Sequence, residues 1–192
     1  MGAAWPGLSP CALAAVKVMV NELETPRLRL RAYRGEDLDL LAALYADPDV
    51  TAFTKLGSLA RAQAEATLDG YLADWRDRAF GMCAVFLKAG GAFAGECGFF
   101  LLERSGELAL RYAVHKRFWG QGLAGEAAQG VIDHAFRRLD FERVVSFVEA
   151  PNAASHRVMQ KLGFTADRIE RLPKVELHVY TMTAEKWLGR RA

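Results

Sequence analysis

The stretch Arg117-Phe118-Trp119-Gly120-Gln121-Gly122-Leu123-Ala124 joins a strand-like segment to a helix and places two glycines at the junction. Glycine lets the backbone approach a bound group closely, and the first turn of a helix leaves several N–H groups without partners. These donors, together with the positive end of the helix dipole, form a site for phosphate. The stretch therefore predicts a phosphate-binding loop.

A second specialised segment lies further along the chain. Asn152-Ala153-Ala154-Ser155 opens another helix, which ends in Lys161-Leu162-Gly163-Phe164. Together the two segments resemble the coenzyme A binding motif, and the helix after the splayed strand, of the GNAT superfamily of N-acetyltransferases. The branch that the chain resembles most is the ribosomal-protein-alanine N-acetyltransferase type (RimJ/RimL-like). The resemblance runs from about Leu23 to Trp187, which is the length of one domain.

Hydrophobic periodicity from Thr25 onward is typical of an α+β (mixed α/β) domain. A period of two, or a short apolar run between turns, predicts strands over 28–32, 81–87, 93–101, 108–114, 144–148, 165–171 and 176–183. Apolar residues at helical spacing predict helices over 38–45, 59–75, 128–139 and 152–162. Short glycine turns indicate antiparallel hairpins. We therefore expect a central mixed, mostly antiparallel sheet of about seven strands with four helices, as the GNAT fold implies.

Residues 23–189 are predicted to form this single domain, and residues 1–22 to form a loose tail. The tail is rich in Ala, Pro and Gly, its apolar part is broken by Lys17, and it lacks the basic start of a secretory signal. A misassigned start codon, with Met19 as the alternative, is one explanation for the tail.

Composition limits the classes of partner. The chain has 192 residues, of which 52% are hydrophobic and 25% charged, and its net charge of +2 does not indicate a nucleic-acid partner. No apolar run approaches the roughly 20 residues that span a membrane. The three cysteines lack metal-ligand spacing, which favours a reduced cytoplasmic protein without a metal. The sequence leaves open whether the protein forms a homodimer.

The glycine loop also fits a rival motif. Gly120-x-Gly122-x-x-Gly125 matches the dinucleotide fingerprint, with Glu149 as the acidic ribose ligand. However, residues 115–119 intervene between the strand and the first glycine, and too few residues follow Glu149 to complete a doubly wound sheet. The dinucleotide hypothesis is therefore the weaker one, and a purely structural glycine turn is a further alternative.

The GNAT resemblance implies where acetyl-CoA binds. The strand before the loop carries the pantetheine arm by main-chain pairing, and an N–H near Val114 stabilises the oxyanion. Lys116, with Arg117 and Gln121, is either a phosphate contact or part of a solvated basic loop. The predicted coenzyme-binding residues are Ala113, Val114, His115, Arg117, Gly120, Gln121, Gly122, Leu123, Ala124, Gly125, Asn152 and Ser155.

The predicted catalytic residues are Ser155, Asn152, Asp167 and Glu96. Asn152 is either a helix N-cap or a ligand of the pantetheine amides. Many GNAT members place a tyrosine one turn after this serine, where it protonates the leaving thiolate. This chain has Met159 at that position, which cannot donate a proton. The resemblance therefore assigns protonation of the thiolate to Ser155. Asp167 takes the place of a glutamate that commonly follows the Gly-Phe pair. With Glu96 and Glu107 it is a candidate base.

These features predict an acetyl-CoA-dependent N-acetyltransferase that works through a direct ternary complex. The acceptor is a primary amine, either a protein N-terminus or a small molecule, and residues 47–58 with Gly81 are expected to form its pocket. A coenzyme A binding sensor without catalysis is the alternative from another functional class.

Overall fold

The computed structural model describes residues 22–54, 56–102, 105–139 and 141–190. The predicted tail, apart from Glu22, lies outside this range. The described residues form eight strands: β1 (Glu22–Glu24), β2 (Leu28–Ala32), β3 (Met82–Leu87), β4 (Phe93–Leu102), β5 (Glu107–Val114), β6 (Arg143–Glu149), β7 (Thr165–Leu172) and β8 (Val175–Thr183). They also form six α-helices: α1 (Leu38–Ala46), α2 (Pro48–Thr51), α3 (Arg61–Arg78), α4 (Leu123–Arg138), α5 (Ala153–Leu162) and α6 (Ala184–Gly189).

The strands form one sheet in the order β1-β2-β3-β4-β5-β6-β8-β7. All neighbouring pairs are antiparallel except β5 and β6, which are parallel. The prediction of a mixed, mostly antiparallel sheet is thus confirmed. The strand count is eight instead of about seven, because β1 has only three residues and is too short to show a period. The helices α2 and α6 have only four and six residues, and for the same reason they were not predicted from the sequence.

The two faces of the sheet carry separate hydrophobic cores. On one face α4 and α5 cover Leu110, Val144 and Met182. On the other face α1 and α3 cover Tyr33, Met82 and Ala113. Side chains of successive strand residues point to opposite faces, so each central strand supplies both cores.

The parallel pair β5 and β6 opens toward its carboxyl end. The register joins these strands at Ala109 and Val145, although β5 runs on to Val114 and β6 to Glu149. Within the described residues no β5–β6 register extends beyond that pair. The predicted splay therefore lies between Val114 and Val148, next to the glycine loop.

No helix in the described ranges is both long and apolar enough to cross a membrane.

Candidate acetyl-CoA site

The glycine loop has a backbone that other residues adopt poorly. Gly120 and Gly122 both have φ of 76°, in the left-handed region that favours glycine. Gly122 is the N-cap of α4 and provides no side-chain cap. The first main-chain bond of the helix runs from the N–H of Glu126 to the carbonyl of Gly122, at 3.1 Å. The amides of residues 123–125 therefore point out of the first turn without an intrahelical acceptor, as an anion site requires.

An acidic side chain anchors this turn to the start of β2. Glu126 Oε2 accepts from Arg27 Nε at 2.5 Å, and Oε1 accepts from Thr25 Oγ1 at 2.6 Å. Burial raises the pKa of Glu126, but the hydrogen bonds from Thr25 and Arg27 outweigh it and leave the pKa below its usual value. Arg27 Nη1 also donates to the carbonyl of Gln121 at 3.0 Å.

Arg27 is a site residue that the sequence prediction missed. A Cβ built on Gly122 would lie 3.7 Å from Arg27 Nη2, so the guanidinium borders the open turn of α4. Nothing local marks it, because its partner Glu126 lies 99 residues away in the sequence.

The polar side chains around the glycines make contacts within the protein. Lys116 Nζ pairs with Asp49 Oδ2 at 2.7 Å, which supports the solvated-loop alternative for this lysine. Arg117 Nη2 donates to the carbonyl of Phe93 at 3.3 Å, and its guanidinium stacks 4.7 Å from the centre of the Phe118 ring. Gln121 Nε2 donates to the carbonyl of Arg117 at 3.3 Å. These side chains shape the loop through contacts within the protein.

Main-chain groups at the end of β5 face the splay. The N–H of His115 donates to the carbonyl of Ala94 on β4 at 2.9 Å. Along a strand, the main-chain N–H and C=O groups of successive residues point to opposite sides. The N–H of Val114 therefore points toward β6, and the main-chain groups of Ala113 point back to β4. The carbonyl of Val114 already accepts from Trp119 Nε1 at 2.7 Å. Of the predicted pairing groups, the Val114 N–H is therefore the one directed into the gap.

Asn152 and Ser155 lie together on the far side of the gap. Asn152 is the N-cap of α5, and its Oδ1 accepts from the Ser155 N–H at 3.0 Å. This confirms the helix-cap alternative for its carbonyl oxygen. Ser155 is half-buried, whereas Met159, one turn later, is fully buried in the core.

The neighbouring His156 fixes the first turn of α5. Its Nε2 lies 3.2 Å from the carbonyl of Ala150, which can only accept, so Nε2 carries the proton. With the proton on Nε2, Nδ1 accepts from Tyr180 Oη at 2.7 Å. This link between α5 and β8 spans 24 residues and had no signal in the sequence.

Glu96 lies on the opposite face of the sheet and is fully buried. Its Oε1 accepts from Tyr45 Oη at 2.6 Å and from Tyr71 Oη at 3.3 Å, and its Oε2 accepts from Tyr33 Oη at 3.2 Å. Arg111 Nη2 lies 3.5 Å from Oε1. Because Glu96 pairs with Ala113 in the register, this cluster lies one residue from Val114.

The other two candidate bases, Asp167 and Glu107, lie at the end of the strands opposite to the splay. Asp167 pairs with Arg143 at 2.9 Å and with Arg168 at 2.8 Å, and Glu107 pairs with Arg168 at 3.1 Å. Arg143 begins β6, whereas α5 follows the other end of that strand at Glu149. At about 3.3 Å per residue the strand separates Asp167 from the splay by roughly 20 Å. The structure therefore does not bring Asp167 together with Ser155.

A cleft of about 640 Å³ lies between α1 and the loop that follows β5. Its lining residues are Leu40, Ala43, Asp47, Phe93, His115, Lys116 and Arg117. Burial, and then the charge of Arg117, lowers the pKa of His115. Asp47 lines this cleft, whereas Gly81, which was also expected at the acceptor pocket, packs against Trp75 before β3 and is not among the lining residues.

Known proteins resemble this chain in fold and in sequence. The chain matches the acetyltransferase (GNAT) domain family over residues 27–165. It is 30% identical to the uncharacterized N-acetyltransferase p20 of Bacillus licheniformis over 158 residues, which cover 79% of this chain and 86% of that protein. A putative GNAT-family acetyltransferase from Bordetella pertussis has a TM-score of 0.76 and 25% identity, with coverage of 84% of this chain and 99% of the other.

A RimL ribosomal-protein acetyltransferase solved with coenzyme A also has this fold. Its TM-score is 0.73 at 19% identity, and the match covers 84% of this chain and 97% of the other. At this identity the likeness concerns the fold alone.

Proposed function

Since the chain belongs to the GNAT family of acetyltransferases, we propose that it transfers the acetyl group of acetyl-CoA to a primary amine within a direct ternary complex, as a RimJ/RimL-like enzyme. The observation that carries this proposal is the glycine loop, where two left-handed glycines precede three helix amides without an intrahelical acceptor. The Arg27 guanidinium, which pairs with Glu126 through Nε, borders the same turn with its Nη2. These groups match the chemistry of a pyrophosphate.

The reacting groups would meet in the splay between β5 and β6. The acceptor nitrogen attacks the thioester carbonyl carbon, and the Val114 N–H would donate to the oxygen that becomes negative. The carbon–sulfur bond then breaks and its electron pair stays on sulfur. Ser155 would donate a proton to that sulfur, the acceptor nitrogen would lose a proton to the base, and exchange with solvent would return a proton from the base to the Ser155 oxygen.

Glu96 is the proposed base that this geometry supports better than Asp167. The carboxylate lies across the sheet from Ser155 and is enclosed by the hydroxyls of Tyr33, Tyr45 and Tyr71, so a proton from an acceptor on the α1 face would reach it through one of these hydroxyls. An α-amino group with a pKa near 8 is already partly neutral at pH 7, whereas a lysine side chain near 10.4 is not. A carboxylate base therefore suffices for an α-amine or another weakly basic amine.

The cleft beside Asp47 is the proposed entrance for the acceptor. Leu40 and Phe93 offer it apolar contact, and the Asp47 carboxylate offers attraction to an ammonium group, while of the two cations in the lining Lys116 is paired with Asp49 and Arg117 stacks on Phe118. A protein N-terminus and a small amine with an apolar side chain both have this chemistry.

Acetyl-CoA is expected to raise the melting temperature. A ligand at 100 times its dissociation constant adds about 2.7 kcal/mol to the free energy of unfolding. For a domain of this size that corresponds to about 5–11 °C. Thermal unfolding with and without acetyl-CoA measures the shift, and NADH is the control that should leave the melting temperature unchanged. A shift with NADH alone would overturn the proposal.

The transfer itself is tested with a panel of amines assayed by thiol release. The panel holds peptides with free α-amines, amino acids, polyamines and aminoglycosides. Turnover with at least one acceptor is the expected result. Binding of acetyl-CoA without turnover on the whole panel would favour the coenzyme A sensor, which is the alternative function.

Ser155→Ala is expected to lower kcat about ten- to a thousandfold with little change in the dissociation constant of acetyl-CoA. The hydroxyl acts when negative charge develops on sulfur, and because a thiol with a pKa near 8.5 is a fair leaving group unaided, a donor here should lower the barrier by only about 1.4 to 4 kcal/mol. Ser146→Ala is the matched control, because this buried serine donates to the carbonyl of Leu110 on the neighbouring strand. Steady-state kinetics and calorimetry measure the two quantities. An unchanged kcat in Ser155→Ala would show that Ser155 is an ordinary helix residue.

A further inference from the structure

The strand β7 forms one edge of the sheet and is exposed along its length. Within the described residues it pairs only with β8. Seven of its eight residues are exposed, and the remaining one, Glu170, is half-buried. Of the four large hydrophobic side chains that are exposed in the described ranges, two lie on this strand, Ile169 at 47% and Leu172 at 50%. The outer edge of β7 therefore offers main-chain N–H and C=O groups beside apolar side chains, which is the surface that another strand can extend.

The charges of β7 are self-complementary. The sequence Asp167-Arg168-Ile169-Glu170-Arg171 carries an acid and a base on each side of a central apolar residue. When a second copy of the strand lies antiparallel to it with the two Ile169 residues opposite each other, Arg168 lies opposite Glu170. Beyond them, Asp167 lies opposite Arg171. Two-fold symmetry makes each of these contacts occur twice.

Only this register brings opposite charges together. A two-fold axis through an antiparallel pair keeps each residue on its own face of the sheet, so it passes beside one residue that lies opposite its own copy. If that residue were Arg168 or Glu170, like charges would lie opposite each other, which destabilises a strand pair. With Ile169 at the axis, two apolar side chains meet there. The charges of the strand therefore select the register centred on Ile169.

The backbone and the side chains of β7 are already arranged for this pairing. From Arg168 to Leu172 the strand pairs with β8 without a register shift. Arg168 Nε lies 2.9 Å from Glu170 Oε1 of the same chain, so both charges lie on one face. A second copy would add its own Arg168 and Glu170 to this pair. Isolated surface ion pairs contribute little to stability, whereas several charges in a network contribute more.

Charged side chains and bulges usually keep the edge of a sheet from pairing with other chains. On β7 the charges disfavour a foreign strand or a shifted copy, but they match one register of the same strand. The edge is thus protected against most partners and open to one.

We propose that β7 is the surface at which a second copy of this chain binds, through antiparallel pairing of the two β7 strands about Ile169. The two sheets would then form one continuous sheet in a closed dimer. The proposal does not depend on the transferase function. Because stable interfaces bury about 1,200–2,000 Å² and one pair of short strands is a small contact, we expect the dimer to dissociate on dilution.

Sedimentation equilibrium of the full chain tests the surface. With rising concentration the mass should increase from 21.2 kDa toward twice that value. Ile169→Lys places two ammonium groups opposite each other at the axis and should keep the mass of the single chain. Phe53→Lys is the matched control, because it adds the same charge at a side chain that is 43% exposed and lies outside β7, and it should dimerise like the wild type. A wild-type chain that stays single at millimolar concentration would overturn the proposal, and so would an undiminished dimer in Ile169→Lys.

Two charge reversals test the register. Glu170→Arg places an arginine opposite the partner's Arg168, and Arg168→Glu places a glutamate opposite the partner's Glu170. Each variant alone should raise the dissociation constant of the dimer by roughly 10- to 100-fold, because the two-fold axis repeats every repulsion. In an equal mixture of the two variants all four positions carry opposite charges, so the mass should return to that of the wild type.

Circular dichroism shows whether each variant is folded. Folded variants that stay single in the mixture, or that each dimerise alone as the wild type does, would overturn the pairing about Ile169. Arg168→Glu also loses a contact with Glu107 at 3.1 Å. If that loss unfolds the variant, Ile169→Lys still decides, because it breaks no ion pair.

Discussion

Gly122→Val is expected to weaken binding of acetyl-CoA by at least about 100-fold, the loss of one or two charge-assisted hydrogen bonds. The branched side chain would project beside Arg27 Nη2, at the turn where the amides of residues 123–125 emerge. It would therefore keep a pyrophosphate from reaching those amides. Calorimetry measures the dissociation constant, and circular dichroism shows whether the fold is retained.

Gly90→Val controls for backbone strain. Gly90 has φ of 78°, nearly the same as Gly122, and a Cβ there would meet no atom within 4 Å. Valine at either position costs about 1–3 kcal/mol in conformational strain, but Gly90 lies in the turn between β3 and β4. The control should lose stability and retain binding. Equal affinities in the two variants would mean that Gly122 serves the turn alone.

The sequence predicted the elements whose signal is local. The alternation of Leu28, Leu30 and Ala32 marked β2, and the apolar stripe of α4 marked that helix. The glycines of the loop were recognisable because a left-handed backbone at a helix start needs them. The β1 strand had no such signal, since three residues cannot show a period and its position depends on pairing with β2.

Contacts between distant residues were beyond the sequence prediction. Arg27 pairs with Glu126 across 99 residues, and Tyr33 reaches Glu96 across 63. From the surrounding sequence alone, Arg27 is an ordinary surface arginine and Tyr33 an ordinary core tyrosine. For Asp167 the local sequence suggested more than the geometry supports. Its place after the Gly-Phe pair implied a catalytic role. However, α5 runs away from the splay, so β7 begins at the opposite end of the sheet.

Glu96→Ala is expected to destabilise the protein by about 3–5 kcal/mol, the usual effect of removing one partner from a buried ion pair. Arg111 would keep a buried charge without its carboxylate, and three tyrosine hydroxyls would lose their acceptor. Burial, and then the charge of Glu96, raises the pKa of Tyr45 and Tyr71 far above the usual value, so these hydroxyls are protonated donors at neutral pH. The melting temperature should fall by about 6–20 °C.

Two further variants separate stability from catalysis at this position. Glu96→Gln keeps the shape of the side chain and an oxygen acceptor for Tyr45, so it should retain more stability than Glu96→Ala. Glu24→Gln, which removes a carboxylate from an exposed pair with Lys88, should leave the melting temperature unchanged. If Glu96 is also the base, folded Glu96→Gln loses kcat while it binds acetyl-CoA normally. A Glu96→Gln protein with full kcat would assign Glu96 to the packing of α1 and α3 against the sheet, because the tyrosines that it holds come from β2's end and from those two helices.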